Sequence, residues 1–271
     1  MGRAFTRAAV GLALALAPMA LGLAACHAAS PAPRGGAELP TVKPVVVRRL
    51  PHDPKAWTEG LFFDASGQMY ESTGEIGRST LRRVNVETGV VEASAAVPMP
   101  LYGEGSSAVG DRIYSLSWQN GIGLVWDKAT LTPKAQFNYL GEGWALTNMG
   151  SSLVMSDGTS NLRVIDPATW RLQRVIHVTA RGRPVDQLNE VELVNGEIWA
   201  NIWLTDRIAR IDPQTGAVKG WIDVSDLHKA AGTVGPDQIP NGIAYDGVHH
   251  KLYVTGKEWP VMFEIRIPKG K

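Results

Sequence analysis

Two carboxylates, two carboxamides, a lysine and three tryptophans stand at equivalent places in a repeated pattern along the chain. These residues are Glu59, Glu104, Asn189, Asn241, Lys257, Trp118, Trp144 and Trp203. Carboxylates, amides and ammonium groups hydrogen-bond to a polar ligand, and indoles form apolar walls around it. Because aromatic walls with a few convergent polar groups are typical of a small-ligand site, we expect a ligand pocket where the fold brings these residues together.

Each of these residues also has a purely structural explanation. Tryptophans often pack between elements, Glu and Asn at a strand start can hydrogen-bond to turn backbone, and Lys257 can be a solvated or ion-paired rim charge. Their common register in the repeat favours a site, because packing does not require a ring of such mixed chemistry.

A fivefold repeat of strands determines where these residues lie. A turn followed by a short apolar run with an aromatic or β-branched residue recurs at Tyr70, Tyr114, Val154, Trp199 and Tyr253. A second unit, Asn or Asp followed three residues later by Thr, begins at Asn85, Asp127, Asp166 and Asp212 and marks an outer hairpin. A period near 40–45 residues with several strands per repeat predicts an all-β, five-bladed β-propeller, in preference to a β-sandwich.

This architecture predicts which residues converge. The first strand of each propeller blade lines the central channel, so the strand starts ring one mouth: Glu59, Glu104, Trp144, Asn189 and Asn241. The second strand returns to the same mouth and ends at Gly74, Trp118, Gly158, Trp203 and Lys257. We therefore expect ten positions on one rim. The sequence also predicts one short helix over 224–231, capped by Ser225 or Asp226.

Composition excludes several classes of protein. The 271 residues are 44% hydrophobic and carry 27 basic and 26 acidic side chains, which is too apolar for a disordered chain and too neutral for electrostatic nucleic-acid binding. A single cysteine excludes an internal disulfide and a thiolate zinc cluster. Six histidines without an HxH or HExxH pattern argue against a zinc hydrolase.

The amino-terminal segment reads as an export signal. Arg3 and Arg7 precede an apolar run that ends in LAAC at residues 23–26, which resembles the bacterial lipobox. We predict a signal peptide over 1–25, lipidation at Cys26, an Ala/Pro/Gly-rich tether over 26–44 and the propeller over 45–271. His27 in place of Asp favours the outer membrane, with the domain on the periplasmic side. The alternative is an ordinary signal peptide with a chance cysteine.

Several stretches together resemble a known family. AWTEGL (56–61), YESTGEIGRS (70–79), YGEG (102–105), LNEVE (188–192) and VTGKEWP (254–260) are similar to the plant-type, papaya-like glutaminyl-peptide cyclotransferases, also called glutaminyl cyclases. The resemblance is collinear over 50–268. It implies a five-bladed propeller that converts the N-terminal glutamine of peptides or proteins to pyroglutamate with release of ammonia, without a metal or other cofactor. We expect a monomer.

The resemblance also assigns roles to individual residues. It implies that Glu104 is the acid/base residue and that Asn189 and Lys257 are polar groups of the catalytic pocket. The implied aromatic cage consists of Trp118, Trp144 and Trp203, with Tyr102 and Trp57 where the papaya-like enzymes carry Phe. Glu59 stands where those plant enzymes carry Gln.

The sequence leaves mechanistic choices open. Lys257, Asn189 or an indole N–H would stabilise the oxyanion of the reaction, and Glu59 and Asn189 would anchor the substrate ammonium and amide. One competing function is a calcium-dependent, lactonase-like hydrolase with Glu59, Asn189 and Asn241 as oxygen ligands, which Lys257 disfavours. The other is a non-enzymatic surface propeller that binds a peptide or glycan.

Overall fold

The computed structural model describes residues 38–268. The signal peptide predicted over 1–25, the lipidation predicted at Cys26 and the tether up to residue 37 lie outside the described residues. No helix within 38–268 is long and apolar enough to cross a membrane.

Five blades of antiparallel strands confirm the predicted propeller. The first strands are β1 (Thr41–Val42) and β2 (Val45–Pro51). Blade 1 contains β3 (Thr58–Phe63), β4 (Met69–Thr73), β5 (Thr80–Val84) and β6 (Val91–Ala96). Blade 2 contains β7 (Gly103–Val109), β8 (Arg112–Ser117), β9 (Ile122–Asp127) and β10 (Pro133–Asn138). Blade 3 contains β11 (Ala145–Met149), β12 (Ser152–Ser156), β13 (Asn161–Ile165) and β14 (Leu172–His177).

The remaining elements complete the circle. A small hairpin, β15 (Thr179–Ala180) and β16 (Arg183–Pro184), precedes blade 4. Blade 4 contains β17 (Leu188–Val194), β18 (Glu197–Ile202), β19 (Arg207–Ile211) and β20 (Val218–Asp223), followed by helix α1 (Ser225–Ala231). Blade 5 contains β21 (Pro240–Asp246), β22 (Lys251–Gly256) and β23 (Val261–Arg266). The innermost strands, which contact one another around the channel, are β3, β7, β11, β17 and β21, as predicted.

The first strands of the described chain attach to the last two blades. Strand β2 pairs antiparallel with β23 and supplies the fourth strand of blade 5. Strand β1 pairs in parallel with the outer edge of blade 4, with Thr41 opposite Trp221. Thr41 and Val42 fall within the tether predicted over 26–44, so this part of it is joined to the propeller.

The core is divided into five apolar clusters, one between each pair of adjacent blades. Alternate residues of a strand point to opposite faces, so one strand serves two clusters. In β4, for example, Met69 packs towards blade 5 and Tyr70 towards blade 2. The marker residues of the repeat are all buried in these clusters, which explains why the aromatic or β-branched position recurs.

The outer turns form as the second repeat unit predicts. In four blades the Asn or Asp side chain accepts a hydrogen bond from the backbone N–H of the Thr three residues later: Asn85 and Thr88, Asp127 and Thr130, Asp166 and Thr169, and Asp212 and Thr215. The predicted helix cap is wrong. Val224 occupies the cap position without a side-chain hydrogen bond, and Asp223 instead accepts the Ser225 N–H at 3.0 Å.

Candidate active site

Irregular strand pairing at one mouth of the channel aims the polar side chains. The pairing between first and second strands shifts register on either side of Glu59, Glu104, Asn189 and Asn241, so each of these residues lies at a β-bulge. Bulges re-aim side chains and concentrate near active sites. The sequence predicted these strand starts but not the bulges that turn them towards the channel.

Glycines after two of these residues let the strands meet at the axis. A Cβ on Gly60 would lie 2.9 Å from the Gly105 Cα, and a Cβ on Gly105 would lie 2.4 Å from the Ala145 Cα. The Gly105 and Ala145 Cα atoms belong to the backbone, so they could not move away without distorting the strands. The pairs Glu59-Gly60 and Glu104-Gly105 therefore combine a functional side chain with the close strand approach that places it.

A cavity of about 190 Å³ opens at this mouth. The residues that line it come from all five blades and their rim loops: Trp57, Glu59, Tyr102, Glu104, Trp118, Trp144, Asn189, Trp203, Asp237 and Lys257. All nine side chains predicted for catalysis or substrate binding are thus together in one pocket. Their individual roles remain predictions.

Three of the ten predicted rim positions do not line the cavity. Asn241 is fully buried behind it, where its Nδ2 donates to Glu59 Oε2 at 3.1 Å and to the Thr58 carbonyl at 2.8 Å. Gly74 and Gly158 lie against the aromatic rings of the pocket wall, where a side chain would not fit. A Cβ on Gly74 would lie 2.6 Å from the Tyr102 ring, and one on Gly158 would lie 2.6 Å from the Trp144 ring.

The polar floor of the pocket is built around the Glu59 carboxylate. Lys257 Nζ donates to Glu59 Oε1 at 2.7 Å, and the Tyr102 hydroxyl donates to the same oxygen at 3.2 Å. With the Asn241 amide on Oε2, the carboxylate receives three donors, which suits Glu rather than Gln because a Gln amide would direct N–H at a donor. The Lys257 ammonium also lies 5.2 Å from the centre of the Trp57 ring.

Glu104 differs from Glu59 in having no hydrogen bond to another described residue, although only 6% of it is exposed. Burial raises the pKa of the Glu104 carboxyl well above its ordinary value, and the charges of Glu59 and Glu142 raise it further, against the opposing effect of Lys257. Burial also raises the pKa of Glu59, but the Lys257 ammonium and the Tyr102 hydroxyl favour its charged form. Of the two carboxylates, Glu104 therefore takes up a proton more readily than Glu59.

The aromatic walls contact one another in pairs. Tyr102 and Trp118 meet edge to face at 5.8 Å between ring centres, and Trp144 and Trp203 do so at 5.7 Å. Trp118 and Trp203 are more than one-third exposed, so these two rings reach from the cavity to its rim. The walls thus extend over blades 2, 3 and 4.

The structure narrows the donors available for an oxyanion. The indole N–H groups of Trp118 and Trp144 both donate to Glu142, at 2.8 Å each, so these indoles are already engaged. The Asn189 side chain is 3% exposed and makes no hydrogen bond to a described residue. Within the described residues, the donors of the predicted set that have no acceptor are therefore the Asn189 amide, the remaining N–H bonds of Lys257, and the indole N–H groups of Trp57 and Trp203.

Sequence reasoning missed two carboxylates of the site, Asp237 and Glu142. Asp237 lines the cavity from the loop between α1 and β21, and Glu142 lies in the loop before β11. Both are outside the strand register on which the prediction depended. The one available signal for Glu142 was its place between two glycines, two residues before Trp144.

Comparison with known proteins gives consistent matches. A family model described as glutamine cyclotransferase matches residues 15–267. A glutaminyl-peptide cyclotransferase from Arabidopsis thaliana is 39% identical over 229 residues, which are 83% of this chain and 71% of that protein. The crystal structure of Myxococcus xanthus glutaminyl cyclase matches with a TM-score of 0.81 and 34% identity, covering 86% of this chain and 100% of that one.

Proposed function

The chain belongs to the glutamine cyclotransferase family, and from this premise we propose how its pocket converts an N-terminal glutamine to pyroglutamate with release of ammonia. The family resemblance predicted from the sequence is confirmed. The observation that carries the proposed mechanism is Glu104, a buried carboxyl that has no hydrogen bond to any residue of 38–268 and lies in a pocket walled by indoles.

Glu104 moves one proton between two nitrogens of the substrate. The α-amine attacks the side-chain carbonyl carbon, forming the ring C–N bond. Glu104 accepts a proton from the attacking nitrogen and delivers it to the leaving nitrogen as the old C–N bond breaks, so ammonia departs and the carboxylate is restored. Its raised pKa lies closer to that of an α-amine, which makes transfer in both directions easier.

The pocket supports this intramolecular reaction by restricting the substrate. Its volume of about 190 Å³ is below the roughly 300–1,000 Å³ of pockets for drug-sized ligands, which suits one amino-acid residue. Indole walls hold the glutamine side chain folded over its own amine, and the gain comes from orientation. Asn189 and Lys257 donate to the oxyanion of the tetrahedral intermediate. Glu59 holds Lys257 and Tyr102 in place.

Two of the three residues proposed for a calcium site, Glu59 and Asn241, have other partners. Glu59 is paired with the Lys257 ammonium at 2.7 Å, and Asn241 directs its N–H group, not its oxygen, at Glu59. A cation beside Lys257 would be repelled. The geometry therefore favours the cyclase over the calcium-dependent hydrolase.

Mass spectrometry of a Gln-initiated peptide tests the proposal. We expect loss of one ammonia from this peptide, with and without EDTA, and no change in a matched N-acetylated peptide whose amine is blocked. Conversion abolished by EDTA and restored by calcium would contradict the metal-independent mechanism. No conversion of any Gln-initiated peptide would favour a binding protein.

We also propose that the chain is exported and anchored by a lipid at Cys26, on the periplasmic side of the outer membrane, and that it acts as a monomer. The support is the LAAC sequence at 23–26 and a pocket formed within one chain. Labelling with a fatty acid, lost in Cys26→Ser, tests the anchor. Fractionation of the inner and outer membranes tests the location of the protein. Its molecular mass in solution tests whether it is a monomer.

A further inference from the structure

One carboxylate outside the predicted site contacts two walls of the pocket at once. Glu142 Oε2 accepts the indole N–H of Trp118 and the indole N–H of Trp144, each at 2.8 Å. Its other oxygen accepts the side-chain amide of Gln119 at 3.0 Å. Hydrogen bonds to a charged acceptor are stronger than neutral ones, so both indole rings are held by their N–H edges.

Glu142 joins two halves of the aromatic wall that otherwise do not meet. Tyr102 contacts Trp118, and Trp144 contacts Trp203, but no ring contact joins Trp118 to Trp144 within the described residues. Trp118 belongs to blade 2 and Trp144 to blade 3. The carboxylate therefore connects the walls across a boundary between blades.

The loop that carries Glu142 is shaped to present it. Gly141 has a φ of 78°, which favours glycine, and a Cβ on Gly143 would lie 2.8 Å from Met155 and Tyr139 side-chain atoms. Arg163 donates to the carbonyl oxygens of Leu140 and Glu142, at 2.8 Å each. A loop fixed on both sides of the carboxylate restricts where the two indoles can lie.

We propose that Glu142 is a positioning residue of the active site, whose carboxylate fixes the Trp118 and Trp144 indoles as walls of the substrate pocket. This inference rests on the proposed function, because it assumes that the pocket binds the N-terminal glutamine. A second consequence concerns Glu104. The Glu142 charge contributes to the raised pKa of the Glu104 carboxyl, so loss of that charge lowers this pKa.

Two variants separate the hydrogen bonds from the charge. Glu142→Ala removes both, and we expect kcat/KM to fall between about tenfold and 10²-fold, because misplaced walls orient the substrate poorly. Glu142→Gln keeps an acceptor oxygen for the indoles, and we expect it to retain at least one-third of kcat/KM. In the pH dependence of kcat/KM for this variant, the acid limb should move to lower pH. The reason is that Glu104 loses a neighbouring negative charge, which lowers the pKa of its carboxyl.

Indole N–H resonances provide a readout that does not depend on activity. The nine tryptophans give nine indole signals, and Trp118→Phe and Trp144→Phe assign the two of interest. We expect both signals to shift in Glu142→Ala and to remain near their native positions in Glu142→Gln. Glu92→Ala is the matched control, since Glu92 lies on the outer strand β6 beside Arg83. It should change neither readout.

The outcomes decide the proposal separately from the function. Native kcat/KM with unshifted indole signals in Glu142→Ala would overturn the proposal. So would equal loss of kcat/KM in the Ala and Gln variants with an unmoved acid limb. If the native protein cyclises no Gln-initiated peptide, the proposed function fails, and the indole signals still show whether Glu142 holds the two walls.

Discussion

The ion pair at the pocket floor gives the prediction with the clearest magnitude. Lys257 and Glu59 lie 2.7 Å apart, with side chains 9% and 2% exposed, and the Tyr102 hydroxyl and Asn241 amide also donate to Glu59. The perturbation is a double-mutant cycle of Glu59→Gln, Lys257→Met and the combined variant. Each single change leaves one partner buried without its counter-charge, whereas the combined change removes both charges.

The expected energies follow from the geometry. At 2.7 Å and an effective dielectric of about 20, the attraction is about 6 kcal/mol, and desolvation of the two ions offsets most of it. Breaking a fully buried pair costs about 3–5 kcal/mol. Because Lys257 lines an open cavity, we expect about 2–3 kcal/mol for each single variant, about 3 kcal/mol for the double variant, and therefore a coupling of about 2 kcal/mol.

Urea unfolding of the four proteins at neutral pH measures this coupling. The denaturant slope should stay the same across the cycle, so that differences in midpoint report stability. If the stability losses of the two single variants sum to the loss of the double variant within about 0.5 kcal/mol, Lys257 and Glu59 are not coupled, because independent sites behave in that way. In that case Lys257 would be stabilised by solvent in the cavity rather than by Glu59.

Three further predictions concern other parts of the pocket and channel. Gly158→Ala places a Cβ 2.6 Å from the Trp144 ring at a φ of 79°, so KM should rise severalfold, and an unchanged KM would contradict the packing argument. Asn189→Ala should lower kcat about 10²–10³-fold with little change in KM, and a purely KM effect would exclude an oxyanion role. Burial raises the pKa of Glu192 to about 8, so the folded state holds this proton more tightly than the unfolded state. The native protein should therefore lose up to about 1.4 kcal/mol per pH unit from this group as pH rises from about 4.5 to 8, and urea midpoints should show that Glu192→Gln lacks this loss.

The repeat was sufficient to predict the blades and most of the pocket. Residues at strand starts and ends recur with the blade, so Glu59, Glu104 and Lys257 could be placed on one mouth without knowledge of any contact. Asn241 occupies the same repeat position but lies behind the pocket, because its bulge turns the amide towards Glu59. The position of a residue within the sequence repeat predicts how far along the channel it lies. It does not predict the direction in which its side chain points.

Features outside the repeat could not be predicted in this way. Glu142 and Asp237 lie in rim loops of unequal length, and a loop residue has no equivalent in the other blades. The strand at Thr41–Val42 is only two residues long and stands between Pro40 and Pro44, which reads as a linker in sequence. Its pairing depends on the outer edge of blade 4, a partner distant in the chain.

The rate at which Glu104→Gln cyclises a Gln-initiated peptide tests whether Glu104 is the acid/base residue. This substitution keeps the shape of the side chain and removes the group that carries the proton. Single-turnover rates and peptide binding should be measured together with the urea midpoint. We expect the rate to fall about 10²–10⁴-fold, with peptide binding and stability near native. A rate within a few-fold of the native protein would contradict the assignment of Glu104 as the acid/base residue.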